Sequence, residues 1–110
     1  MEVTTPLQQP TVFQVWPVSV TNASVQCLGK GFGRVSLSFH NPGTVDVYVC
    51  PAIQASGANL AASVGAAGMI LVMAGNTQEI DNPGNGAWNC IAASSAVLSI
   101  LEYVNPTRTN

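Results

Sequence analysis

The stretch Arg34–Cys50 reads R-V-S-L-S-F-H-N-P-G-T-V-D-V-Y-V-C, and it decides the fold. Val35, Leu37 and Phe39 alternate with Ser36, Ser38 and His40. Beyond Asn41-Pro42-Gly43-Thr44 the alternation resumes, with Val45, Val47 and Val49 against Asp46, Tyr48 and Cys50. Successive side chains of a strand point to opposite faces, so a period of two marks two half-buried strands. So short a connection predicts that the two pair as a hairpin. If both apolar rows face one core, Phe39 stands opposite Val45 or Val47. That register requires a loop with an odd number of residues, such as three or five, and Gly43 at positive φ. A two-residue loop would set Phe39 against Asp46 and turn one row to solvent.

The same rhythm continues on both sides. Upstream, Thr11–Thr21 carries Phe13, Val15, Val18 and Val20, and Pro17, which cannot donate to a ladder, marks an edge strand or a bulge. Ser24–Leu28 is a short strand with Val25 and Cys27 on one face. Downstream, Pro51–Ile53 extends the second strand, and Gln54–Ala67, rich in Ala, Gly and Ser, reads as a long loop that is either a contact surface or a spacer. Gly68–Ala74 suits a buried strand, although an apolar run of that length also suits a helix. Thr77–Ile80 is a strand, Asp81–Gly86 is the densest turn signal, and Ala87–Ile91 is a strand with Trp88 and Cys90 on one face. In Ala96–Tyr103, Val97, Ser99, Leu101 and Tyr103 share one face and Leu98, Ile100 and Glu102 the other. Both are mostly apolar, which fits a central strand or one at a subunit contact.

These segments make about eight short strands separated by Gly, Pro and Asn turns. The expected class is all-β: a two-sheet antiparallel sandwich, with the strand count of a jelly roll. The expected organisation is an extended arm over residues 1–10, a sandwich over 11–104 and a polar tail over 105–110.

Composition constrains function. The chain has 110 residues, of which 7% are charged and 47% apolar. An ordinary soluble domain carries charge on about 25% of its residues. An exterior so poor in charge is either covered by copies of the chain or by another protein, or is the neutral hydroxyl- and amide-rich surface of a thermostable or secreted domain. Three basic residues cannot form a phosphate-binding patch, so no nucleic-acid partner is expected. The uncharged run Ile53–Gly75 is strongly apolar only over Met69–Ala74, too short for a membrane span. The start MEVTTPLQQP lacks the basic and apolar regions of a secretory signal, so the acceptor pattern Asn22-Ala23-Ser24 is expected to be silent. Cys27, Cys50 and Cys90 form no CxxC pattern. They read as buried free thiols, or as one cross-strand pair plus a single thiol.

No residue set points to catalysis. His40 is the single histidine and sits beside a turn on a face with two serines, the setting of a solvated or backbone-bonded side chain. No metal site is expected from one histidine and scattered thiols, and Asp81-Asn82 reads as turn chemistry before a calcium ligand. Asp46 and Glu102 are the available acid/base pair, and nothing in the spacing brings them together. Gly29-Lys30-Gly31-Phe32-Gly33 looks like a phosphate loop but leads into a strand instead of a helix. The expectation is therefore no enzyme and no cofactor. Trp16 and Trp88 are either core residues or interface anchors. With Leu98 and Ile100 they form the candidate interface set.

The series R-V-S-L-S-F-H-N-P-G, then V-x-V-x-V-C-P, the Pro-Gly turn before A-W-N and the closing L-S-I-L-E-Y resembles the jelly-roll cement, or decoration, proteins on the capsids of tailed bacteriophages. The likeness spans about Arg34–Tyr103. It implies a structural protein of the virion surface, made in the host cytoplasm. Such a protein would bind the major capsid protein as a homotrimer, with no catalytic residues. The competing class is a receptor- or carbohydrate-binding sandwich of a phage tail or fibre, in which Trp16 or Trp88 with Asn85 and Asn89 would meet a sugar.

Overall fold

The structure, a computed structural model, describes residues 12–54 and 56–105, with residues 12–16 as backbone alone. The arm expected over residues 1–10 lies outside the described residues, as does the tail beyond Asn105. Eight strands follow one another: β1 Val12–Val20, β2 Val25–Leu28, β3 Arg34–His40, β4 Val47–Pro51, β5 Ile70–Val72, β6 Thr77–Asp81, β7 Trp88–Ala92 and β8 Ala96–Val104. They form two four-stranded antiparallel sheets, ordered β1-β8-β3-β6 and β2-β7-β4-β5, which is the strand order of a jelly roll. The segments expected from alternation all appear, within a few residues of their expected ends. Among the described residues no helix is long and apolar enough to cross a membrane.

The pairing of the central stretch differs from expectation. β3 and β4 form no hairpin. They lie in opposite sheets, and the chain crosses the core between them. Phe39 stands opposite Gln78 of β6 and Ile100 of β8, whereas Val47 stands opposite Val72 and Ala92. Gly43 is not among the positive-φ glycines. The apolar faces were read correctly at Leu37, Phe39, Val47 and Val49, all fully buried, with Val45 packed against the core; Val35, at a register shift, is half-buried and joins no core cluster. A period of two fixes which face a residue takes. It does not fix which strand lies alongside, and two strands facing one core from opposite sheets give the same pattern.

Asn41 makes the crossing. It is fully buried; its Nδ2 donates to the Val45 carbonyl at 2.7 Å and the Val72 carbonyl at 3.0 Å, and its Oδ1 accepts the Gly43 amide at 3.0 Å. Its backbone pairs with the turn between β5 and β6, through Asn76 O and the Gly75 amide. One side chain thus satisfies the polar backbone that leaving a sheet exposes.

The core between the sheets gathers Val20, Leu37, Phe39, Leu98 and Ile100 from the first sheet with Val47, Val49, Val72, Trp88 and Cys90 from the second. The Phe39 and Trp88 rings pack at 5.2 Å and 49°. This corrects the expectation for three candidate interface residues. Trp88 is 3% exposed and Leu98 and Ile100 are 0% exposed, so the sandwich itself occupies them. Each contributes roughly 1.5–3 kcal/mol by being buried, which turning outward to a neighbour would forfeit in the free subunit. The Trp16 side chain lies outside the described residues. β8 is central, between β1 and β3; its inner face is buried at Leu98 and Ile100, while Val97 on the other face is exposed. β1 is an edge strand, the position Pro17 requires. Val12 at its start lies opposite Val104 at the end of β8.

The Ala- and Gly-rich segment after β4 folds back over the outer face of the second sheet. Ala62 is buried with Cys50 and Ile91, and Leu60, Met69 and Tyr48 pack around them. The Ser24 hydroxyl accepts the Ala62 amide at 2.8 Å, and Asn89 Nδ2 donates to the Leu60 carbonyl at 2.7 Å. The segment is a cover for the sheet rather than a spacer.

Candidate functional site

Among the described residues, Arg34 stands out as a fully buried side chain with several hydrogen-bond partners. The register between β3 and β8 slips between Arg34 and Ser36, and this bulge accompanies the inward turn of the first residue of β3. Nε donates to Glu102 Oε2 at 2.6 Å. Nη1 donates to the carbonyls of Gly84 at 3.1 Å and Gly86 at 2.6 Å, and Nη2 to the Gly29 carbonyl at 3.0 Å. The Arg34 amide donates to Asn85 Oδ1 at 3.0 Å. One guanidinium therefore ties β8 to the β2–β3 and β6–β7 connections. An enclosed charge is tolerated when it is paired and its remaining protons are bonded, as here.

The phosphate-loop look-alike finds its explanation at this pair. A Cβ on Gly31 would lie 2.5 Å from Arg34 Nη2 and 2.7 Å from Glu102 Oε2, so only glycine lets the loop close over the ion pair. The Gly31 amide donates to the Asn85 carbonyl at 2.8 Å, linking the two connections. Beside them lies a cavity of about 450 Å³ lined by Pro17, Val18, Cys27, Leu28, Lys30 and the ion pair. The ion pair on its floor is engaged in holding loops. The sequence held one signal for this site: Glu102 shares a strand face with Leu98 and Ile100, and an acid on a buried face needs a cation.

The other residues singled out for chemistry are apart from it and from one another. His40 Nδ1 and Thr77 Oγ1 are 2.8 Å apart across the β3–β6 ladder, so a hydroxyl sits where a relay would need a carboxylate. Asp46 Oδ1 accepts the Ala74 amide at 2.9 Å, while Glu102 holds Arg34. Asn82 takes a left-handed conformation at φ 50°, as the turn reading of Asp81-Asn82 expects. Among the described residues no three His, Cys, Asp or Glu side chains gather as metal ligands.

The three thiols are unbridged and buried. Cys50 faces the outer cluster and Cys27 and Cys90 the inner core. Cys27 Sγ donates to the Trp88 carbonyl at 3.5 Å. Interaction with the Cys90 thiol, followed by burial, pushes the Cys27 pKa up, and interaction with Cys27 draws Cys90 down against burial, which raises it. Burial, followed by the charge of Cys90, pushes Cys50 up.

The surface remains poor in charge. With Arg34 and Glu102 internal, the charged side chains exposed among the described residues are Lys30, Asp46, Glu79 and Asp81. Phe32, Ile53, Val64, Met73 and Val97 are the large apolar side chains at the surface. A cleft of about 630 Å³ lies between the folded-back loop and β2 and β7, lined by Gln26, Ile53, Asn59 and Asn89 among others. Of the two aromatic platforms expected of a sugar site, Trp88 is hidden and the Trp16 side chain lies outside the described residues, while Asn85 and Asn89 both hold loops in place.

No protein-family model and no curated protein matches the chain. Solved structures that are similar include the following two. One is protein NMB1881 from Neisseria meningitidis, at 13% identity and a TM-score of 0.48, covering 83% of this chain and 74% of that one. The other is a chain of Bacillus endospore appendages, described as a novel family of disulfide-linked pili, at 10% identity and a TM-score of 0.48, covering 96% and 97%. Likenesses this distant carry no argument about activity or assembly.

Proposed function

We propose that the chain is a non-enzymatic structural subunit that works by covering and being covered: a cement protein of a tailed-phage capsid, bound as a homotrimer to the major capsid protein on the outside of the virion. The observation that carries this reading is the exterior. Two of the few charges of a 7%-charged chain are enclosed, and most of what remains outside is neutral. Neighbouring chains are the physical context in which such a surface is stable against indiscriminate association. The likeness of Arg34–Tyr103 to decoration proteins supplies the partner.

A rigid sandwich suits this work. Three copies held together present the same small surface three times, and repeated weak contacts give avidity without a strong single site. The β1 margin is open for strand addition, and residues 1–11, which lead into it, are the segment to reach a neighbour by backbone pairing.

Sedimentation velocity of the purified chain tests the reading, with a stable trimer expected. A monomer at all concentrations, together with no co-sedimentation with undecorated capsids, overturns it. Deleting residues 1–11 is expected to lower capsid binding while leaving the sandwich folded.

A further inference from the structure

We infer that Cys27 and Cys90 are an oxidisable cross-strand pair that closes to an intramolecular disulfide, fastening the edge strand β2 onto β7, while Cys50 remains a thiol. The register sets them on neighbouring strands, two places apart. Val25 pairs with Cys90 and Gln26 with Asn89, but Leu28, not Cys27, takes the next place opposite Trp88. Cys27 is thus the extra residue of a bulge. Its side chain enters the inner core on the face that holds Cys90, in the same buried cluster.

Two further features favour closure. β2 is the edge of its sheet, laddered on one side alone, and a bulge is the compliant part of an edge. The sulfurs must approach to about 2.05 Å, and a shift of this segment disturbs no second ladder. Access is provided from one side. Cys27 lines the cavity of about 450 Å³ and is 8% exposed, whereas Cys90 lies behind it. Cys50 cannot substitute. It stands opposite Asn89 on β7, one place from the Val49–Cys90 pair, so its side chain projects from the other face of the sheet.

Hydrogen peroxide suffices as the oxidant. One sulfur gives up its proton and attacks a peroxide oxygen; the O–O bond breaks, and the departing hydroxide takes that proton to leave as water. The second sulfur displaces the new hydroxyl, the S–S bond forms, and a second water carries off the remaining thiol proton. Both sulfurs are oxidised and one peroxide is reduced.

The test treats the native full-length chain with hydrogen peroxide, alkylates it with iodoacetamide in denaturant, and measures intact mass and a peptide map. The expected result is a loss of about 2 Da before alkylation, one alkyl group at Cys50 and a Cys27–Cys90 linked peptide. Oxidation is also expected to raise the thermal midpoint, reversibly with dithiothreitol. Cys50→Ser should behave like the parent, and Cys27→Ser should form no internal bond. Alkylation of all three cysteines after peroxide, a bond that includes Cys50, or sulfinic acid at Cys27 without a bond would each overturn the inference.

Discussion

Arg34 and Glu102 form an enclosed ion pair, 2.6 Å from Nε to Oε2, with the arginine side chain 0% and the glutamate side chain 10% exposed. The pair lies between two sheets of otherwise apolar side chains, at the end of the sandwich where the glycine-rich connections meet. Its value is therefore organisational: it positions loops that have little apolar surface of their own.

Breaking the pair from one side leaves the partner charge enclosed. Glu102→Leu is expected to cost about 3–5 kcal/mol in urea unfolding. Arg34→Met should cost at least as much, because the Gly29, Gly84 and Gly86 carbonyls lose their donor as well. The double variant is expected to lose less than the sum of the two, with a coupling of about 1–3 kcal/mol. Arg34→Lys should not restore the parent, since a point charge cannot bridge β8 and two connections at once.

Gly31→Ala forces a methyl against Arg34 Nη2 and Glu102 Oε2, which their hydrogen bonds hold in place. A loss of about 1–3 kcal/mol is expected. Gly86→Ala, where an added Cβ meets nothing within 4 Å, serves as the control and should lie within about 0.5 kcal/mol of the parent.

Asn41→Ala orphans two carbonyls and one amide at the crossing between sheets and is expected to cost about 2–4 kcal/mol. Asn41→Asp should be worse at neutral pH, because a carboxylate cannot donate to Val45 and Val72. Part of that loss should return as the pH falls below about 4 and the carboxyl regains a proton to donate. Thermal melts of both variants across pH check this.

Burial raises the Cys50 pKa above its ordinary 9.0, so the folded chain holds that proton more tightly than the unfolded one. The stabilisation is complete below the unfolded value and declines as pH climbs above it, by up to about 1.4 kcal/mol per pH unit. The stability gap between the parent and Cys50→Ala should therefore narrow above pH 9, as measured by urea unfolding.

Strand positions and faces were legible because alternation is local. Val35 to Phe39 and Val45 to Val49 announced an inner face without reference to any partner. Pairing was not legible. In a jelly roll most consecutive strands belong to opposite sheets, so β3 and β4 share a core but no ladder, and Asn41, the residue that makes the change, looks like any turn asparagine. The interface set failed for a related reason: Leu98 and Ile100 share the inner face of a central strand, and their apolar character belongs to the core. The enclosure of Arg34 was not legible, because it opens a strand after a glycine-rich turn. Only its bulge, which no local pattern announces, sends it inward to the acid already visible on the face of Leu98 and Ile100.

Val12 sits across from Val104, so the first and last strands run side by side and the chain enters and leaves the sandwich at one corner. A short linker there would turn β8 and β1 into a continuous hairpin, and the exposed connection Ala93–Ser95 is a natural place to open new ends. Such a circular permutant keeps every ladder of the described strands and opens the chain at another connection, so that a fused cargo could be offered from a different part of the surface without disturbing the corner where β1 begins and β8 ends.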